Sequence, residues 1–421
     1  MVQSISDFLN HPELQSFLKR AHALRDDTNF CISDVIDQNG LQYVDLVQEG
    51  GGVLGIALVG YTYIMEEAGI RFLNLAGTSA GAINTMMMAS LGSIDAPKSE
   101  KLLGILAQKN LFELVDGKDA QKKLIQRYID GKKGILLYAI LGALNIIRTL
   151  KKNLGLNPGD NFEHWMTSIL DSNGIQNTRD LMRLRNRLPE GLRTRSGTSM
   201  EDFTPKTVLI SSEITTQTKV HFPEMADLYW KHPEHVSPAH YVRASMSIPL
   251  FFEPYEVTGI PDGSGAKTRW QEKVRYSGDI PKTARFVDGG TLSNFPINVF
   301  HRPHSIPRMP TFGVRLSASR ERQNTTNRFF PFAWAIINTM RHLYDYDFLL
   351  RNPDYQHLIC RLDTDNDFNW LDFNMSQENK TKLFLRGAAK AIEFLEDFNW
   401  TSYKEIRRSL MINKTNPGSR P

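Results

Sequence analysis

The feature that most constrains the fold is a pair of glycine-rich turns, each set between a strand-like run and a helix-like run. The first is Gly50-Gly51-Gly52-Val53-Leu54-Gly55, after the strand-like run Tyr43 to Gln48. It satisfies G-x-G-x-x-G, the written context of a dinucleotide pyrophosphate turn. The second is Gly77-Thr78-Ser79-Ala80-Gly81, after the short run Phe72 to Ala76. Strand, glycine turn and helix, repeated, is the alternation of an α/β fold with a largely parallel sheet.

A chain of 421 residues has room for one large domain with additions, or for more than one domain. Hydrophobic residues make up 41% and charged residues 23%, which is enough apolar material for a sizeable core. A net charge of +4 over this length gives no argument for nucleic acid. Cys31 and Cys360 are the only cysteines, too few for a disulfide framework or a thiolate zinc site. The first residues lack a basic segment followed by an apolar one, and no apolar run reaches the roughly 20 residues of a membrane span. The expected location is therefore cytoplasmic, with peripheral contact at a membrane surface left open.

Periodicity divides the chain further. Residues 1–40 read as a helical lead-in, with Leu9, Leu14, Phe17 and Leu18 near helical spacing. Residues 41–320 read as the α/β domain, with a helical insertion or cap over 92–200. Residues 321–421 read as a helical C-terminal extension.

The second turn decides what the first one is for. A dinucleotide turn needs an acidic residue about 20 positions on, at the end of the second strand. That strand ends in Leu75-Ala76-Gly77, with no Asp or Glu. It runs instead into G-x-S-x-G, the setting of a nucleophile elbow, with Ser79 at a helix N-terminus. The flanking Gly77 and Gly81 let neighbouring backbone approach. Successive N–H groups of the first turn can then face one small anion, the oxyanion of an ester under attack.

A serine hydroxyl needs a base. Nine histidines follow Ser79, from His164 to His357, and none sits in a glycine-flanked turn after a strand. Asp288 does: a strand-like run, Arg285 to Val287, ends at Asp288-Gly289-Gly290. A carboxylate there projects at the carboxyl edge of the sheet, and partial desolvation raises its pKa toward that of a useful base. Taken alone, the same residues also read as a plain Asp-Gly turn.

Four stretches, "EGGGVLGIALVGYTYIMEEAGI", "LAGTSAGAIN", "RASMSIPLFFEP" and "FVDGGTLSNFP", occur in that order. Together they resemble the patatin-like phospholipase family, over roughly residues 41–320. The resemblance implies a mostly parallel central sheet sandwiched by helices and a serine ester hydrolase with no histidine in its machinery. It implies Ser79 as nucleophile, Asp288 as base, and Gly50, Gly51 and Gly52 as the oxyanion hole. Gly55, Gly77, Gly81, Gly289 and Gly290 complete the motifs, and Ala244, Ser245 and Pro249 stand in a supporting element. No metal or organic cofactor is implied, and the expected partner is a lipid or phospholipid substrate. One departure stands out. Many members carry Arg or Lys where this chain has Leu54, so the glycine turn brings no cation.

"GKKGILLYAILGALNIIRTLKKN", Gly131 to Asn153, has an apolar centre of about 14 residues with basic flanks, too short to span a bilayer. It reads either as a helix at an anionic interface or lid over an acyl pocket, or as a buried helix of the insertion. Three other readings stay open: a Ser-His-Asp esterase, a lipid-binding protein with a decayed site, and a nucleotide-binding protein using the first turn.

Overall fold

The computed structural model describes residues 5–118, 122, 148–317, 323, 326–327, 329–364 and 367–415. Its centre is a pair of strands with apolar side chains on both faces. β2 (Gln42–Gln48) and β3 (Ile70–Thr78) are buried along their whole lengths, as parallel strands covered on both faces must be. A short β1 (Val35–Ile36) precedes them and pairs antiparallel with β2.

Among the described residues, ten strands join one sheet. From one edge run β12 (Ile359–Arg361), β11 (Thr311–Arg315), β2, β3 and β6 (Thr207–Glu213), all parallel. β7 (Thr218–Phe222) forms a hairpin with β6, and β10 (Thr283–Asp288) pairs antiparallel with both β6 and β9 (Tyr255–Thr258). β5 (Arg193–Thr194) pairs with β1 at the periphery. β4 (Gly155–Asn157) and β8 (Leu250–Phe252) make a separate two-stranded sheet. The expected sheet, mostly parallel and flanked by helices, is the one observed.

The register of β6 brings two distant pieces of chain together. Its Ser211 pairs with Val220 of β7 and with Asp288 of β10, which therefore lie on opposite edges. Its Leu209 pairs with Phe222 of β7 and with Gly77 of β3. β3 and β10 thus share one edge of β6 and run toward each other along it.

The helix Ile56–Glu67 is buried on nearly every side and crosses the helix Gln377–Asp397 at backbone contact. A Cβ on Gly60 would lie 1.9 Å from the carbonyl oxygen of Phe384, and one on Gly387 would lie 1.9 Å from that of Ala57. No side chain fits there, so both positions need glycine. The lead-in helices and the C-terminal region pack into the same core: Phe8 meets Phe384 edge-on, and Phe312 of β11 meets Phe394. The segment 321–421, read as a helical extension, also contributes β12. Within 92–200, the helices Ser99–Gln108, Asp160–Ser172 and Thr178–Arg185 are joined by β4 and β5. Most of the basic-flanked apolar stretch, up to residue 147, lies outside the described residues. Among the described residues no helix is long and apolar enough to cross a membrane.

Candidate active site

Ser79 stands between the last residue of β3 and the first turn of the helix Ala80–Ser90. Its backbone is at φ 54° and ψ −117°, a conformation that L-residues avoid at a cost of about 1–3 kcal/mol. Close backbone packing imposes it. A Cβ on Gly77 would lie 2.2 Å from the carbonyl oxygen of Gly81, and one on Gly81 would lie 2.2 Å from that of Gln48. The Ser79 N–H donates to Ser245 Oγ at 3.0 Å, and the Ser245 hydroxyl donates to the carbonyl of Ile210 in β6. Ser245 thereby ties the elbow to the sheet. Pro249 borders the site, and Ala244 is buried behind it.

Asp288 is the last residue of β10. Its N–H donates to the Ser247 carbonyl at 2.7 Å, and its Oδ1 accepts the Gly290 N–H at 2.8 Å. Oδ2 is buried and has no hydrogen-bond partner. Burial pushes the carboxyl above its usual pKa; the Arg341 charge, the nearby Ser79 hydroxyl and the Gly290 N–H pull it partly back. Ser79 and Asp288 border the same small cavity, and the serine side chain is among the groups that favour the carboxylate form. Gly289 is pressed onto the sheet, where a Cβ would lie 2.1 Å from the Ile210 carbonyl oxygen.

The glycine turn is fixed from three sides. Gly50 donates its N–H to Asn294 O at 3.0 Å and accepts from Asn294 Nδ2 at 3.1 Å. The N–H of Gly50 is therefore already used. Those of Gly51 and Gly52 meet no acceptor among the described residues. Gly52 has φ +56°, and a Cβ there would lie 2.2 Å from the Trp370 carbonyl oxygen, which in turn accepts the Val53 N–H at 3.0 Å. Just before the turn, buried Glu49 accepts from the N–H groups of Leu316 and Ser317 and lies 3.5 Å from Arg315. Gly55 ends the turn and starts the helix Ile56–Glu67.

Two cavities meet at Ser79, and Gly52 and Ile248 border both. The larger is walled chiefly by Ile83, Leu106, Phe162, Phe252, Phe373 and other apolar groups. Lys380 also borders it, its ammonium tied to the Lys109 carbonyl at 3.2 Å. The smaller is bordered by Asp288, Thr291 and Arg341 together with Ile248, Pro249 and Trp370. Leu54 is buried in the core, so the glycine turn indeed brings no cation. A cation is present all the same: Arg341, from the helix Phe329–Arg351, donates from Nη2 to Asn294 Oδ1 at 2.9 Å and stacks over Trp370.

Among the described residues no histidine borders either cavity. His240 Nδ1 lies 3.1 Å from Glu163, His301 Nδ1 bonds the Tyr355 hydroxyl, and burial lowers the pKa of His221 to about 4. Among the described residues no group of His, Cys, Asp and Glu is arranged to hold a metal ion.

A family model described as patatin-like phospholipase matches residues 46–301. The chain belongs to the patatin-like phospholipase family. The matched segment carries both glycine turns, Ser79 and Asp288, and stops before Arg341. A Bacillus subtilis (strain 168) protein, described as uncharacterized protein YqhO, is 32% identical over 363 residues, covering 85% of this chain and 99% of that one. The crystal structure of VipD from Legionella pneumophila aligns with a TM-score of 0.40 and 16% identity, over 89% of this chain and 72% of that one. Membership in the family supports lipid hydrolase activity in general.

Sequence reasoning missed Asn294, Glu49, Trp370 and Arg341. Asn294 lies inside the quoted "FVDGGTLSNFP", so its place beside the base was open to view. Arg341 sits in a helix without a motif and gave no signal.

Proposed function

We propose that this protein is a lipid acyl hydrolase of the phospholipase A or lysophospholipase type, working through a Ser79–Asp288 dyad. The observation that carries this reading is the position of Ser79: on a strained elbow, where an apolar chamber meets a smaller cavity that it shares with the buried Asp288 carboxyl and Arg341. A chamber with that apolar lining suits a fatty-acyl chain.

Asp288 Oδ2 takes the Ser79 proton as Oγ attacks the acyl carbonyl. The oxyanion is held by the N–H groups of Gly51 and Gly52. Collapse breaks the ester C–O bond, and Asp288 returns the proton to the departing alcohol. A water, deprotonated by Asp288, then attacks the acyl-enzyme and releases the fatty acid, restoring the Ser79 hydroxyl. No step requires a metal, so chelation of calcium leaves the rate unchanged; a strict calcium requirement would contradict the scheme.

The test is hydrolysis of micellar esters of rising acyl length by wild type, Ser79→Ala and Asp288→Asn. Both variants are expected to lose roughly 10⁴-fold in kcat or more, with long chains preferred by the wild type. An inert wild type, or an active Asp288→Asn, overturns the reading.

A further inference from the structure

We propose that Arg341 is the residue that recognises a phosphate on the alcohol side of the scissile ester, and so selects phosphate-bearing lipids over neutral glycerides. The inference rests on the acyl hydrolase reading above.

An ester presents two sides to its nucleophile. At Ser79 the acyl side has an apolar chamber, and the alcohol side has the small cavity shared by Asp288, Thr291 and Arg341. In every glycerophospholipid the phosphate lies on the alcohol side. Arg341 is half-buried there, and its charge favours the ionised form of the Asp288 carboxyl that borders the same cavity. Its Nε is buried without a hydrogen-bond partner. That atom lies over Gly290: a Cβ there would be 3.4 Å from Arg341 Nε and 2.8 Å from Asp288 Oδ1. The guanidinium is held in place by Asn294 on one side and by the face of Trp370, 5.5 Å from the ring centroid, on the other. A pre-oriented arginine with an unused donor in a catalytic cleft matches the geometry of a phosphate oxygen. Asp288 offsets part of this charge, but the buried Nε donor stays unused, and an unused donor on a buried cation is costly unless something arrives to accept from it.

The placement also accounts for Leu54. The cation absent from the glycine turn is supplied by a different element, beyond the segment that the family model matches. Headgroup selection is thereby assigned to the C-terminal region, through a residue that also bears on Asp288 and on Asn294.

The experiment compares kcat/KM for lysophosphatidic acid and for monoacylglycerol of the same acyl chain, in the same neutral-detergent micelles. Wild type, Arg341→Gln and Arg341→Lys are measured. The wild type is expected to favour the phosphate ester. In Arg341→Gln the ratio of the two kcat/KM values is expected to fall about 10- to 100-fold, chiefly through KM, with Arg341→Lys between them. A ratio that Arg341→Gln leaves unchanged, or a wild type that favours the neutral ester, overturns the proposal. Inorganic phosphate gives a measurement independent of folding in the variants, since it is expected to inhibit the wild type competitively. If phosphate inhibits while the lipid ratio ignores Arg341, the site takes a free anion and the lipid assignment falls. A wild type inert on both esters removes the hydrolase reading itself, whereas hydrolysis of both at a fixed ratio removes only the role of Arg341.

Discussion

Thr78 and Asp288 pair with consecutive residues of β6, Ile210 and Ser211, along a single edge. β3 and β10 run toward each other on that edge, and their carboxyl ends meet. The residue after the first end is Ser79, and the last residue of the second is Asp288. Two pieces of chain separated by some two hundred residues are thus juxtaposed by backbone register alone, with no side chain needed to arrange it. The Ser79–Asp288 pair inherits the rigidity of the sheet.

Burial of Asp288 has a consequence for pH dependence. Only the ionised carboxylate accepts the serine proton, so kcat/KM rises as pH rises through the Asp288 pKa. Burial places that pKa above the ordinary carboxylate value of about 4. The acidic limb of the profile is therefore expected above that value. The Arg341 charge favours the carboxylate, so its removal in Arg341→Gln moves the limb to still higher pH. A pH–rate series on a neutral ester, whose headgroup does not titrate, checks both statements. A limb that stays in place when Arg341 is replaced shows that the two groups do not interact.

Gly52→Ala tests the oxyanion loop. The added Cβ meets the Trp370 carbonyl at 2.2 Å, and φ +56° disfavours any side chain. The turn must shift, and the Gly52 N–H with it. We expect kcat to fall about 10²- to 10³-fold, the usual effect of losing one oxyanion donor. Gly263→Ala is the control, since a Cβ there meets nothing within 4 Å. Equal activity in the two variants would remove Gly52 from the hole.

The parallel centre of the sheet and both turns were legible because each needs a residue type that little else explains. Glycine where backbones touch and a serine between glycines at a strand-to-helix junction are local signals. The antiparallel direction of β10 is not local. Thr283 to Asp288 reads as a strand whichever way it runs, and only its pairing with β6 shows that it comes from the opposite end. Ser245 was legible as support through the resemblance, while its bond to the Ser79 N–H was not. Arg341 was invisible because it comes from a helix whose sequence, apart from its fold, is ordinary. Its role exists only because Asp345 of the same helix accepts from the Phe295 N–H at 2.8 Å and the Ser293 hydroxyl, anchoring the helix beside the loop after Asp288.

The apolar chamber should set acyl length. Leu106, on the helix Ser99–Gln108, borders the chamber and is far in sequence from either glycine turn. Leu106→Trp places an indole in the space that a long chain would fill. We expect kcat/KM for long-chain esters to fall at least tenfold more than for short ones, against a stability loss of about 1–3 kcal/mol from overpacking. Rates on a chain-length series, normalised to the shortest ester, read the effect directly. A uniform loss across the series would place the acyl chain elsewhere.

The strain at Ser79 is separable from its chemistry. Alanine normally makes a protein more stable than glycine does, because glycine frees the unfolded chain, by about 0.4–1 kcal/mol. At φ 54° and ψ −117° the order should reverse. Ser79→Ala removes the hydroxyl and keeps the Cβ in its unfavourable position, whereas Ser79→Gly removes both. Both variants lack the hydroxyl, so the difference between them reports on the backbone and the one Cβ. We expect Ser79→Gly to be the more stable by about 1 kcal/mol, the strain relieved exceeding the entropy lost. Urea denaturation of the two variants side by side decides it. If Ser79→Ala proves equally stable or more so, the elbow is unstrained. If the order reverses as expected, this turn is held against its own preference by the Gly77–Gly81 contact and by Ser245, and the chain gives up stability to display one hydroxyl.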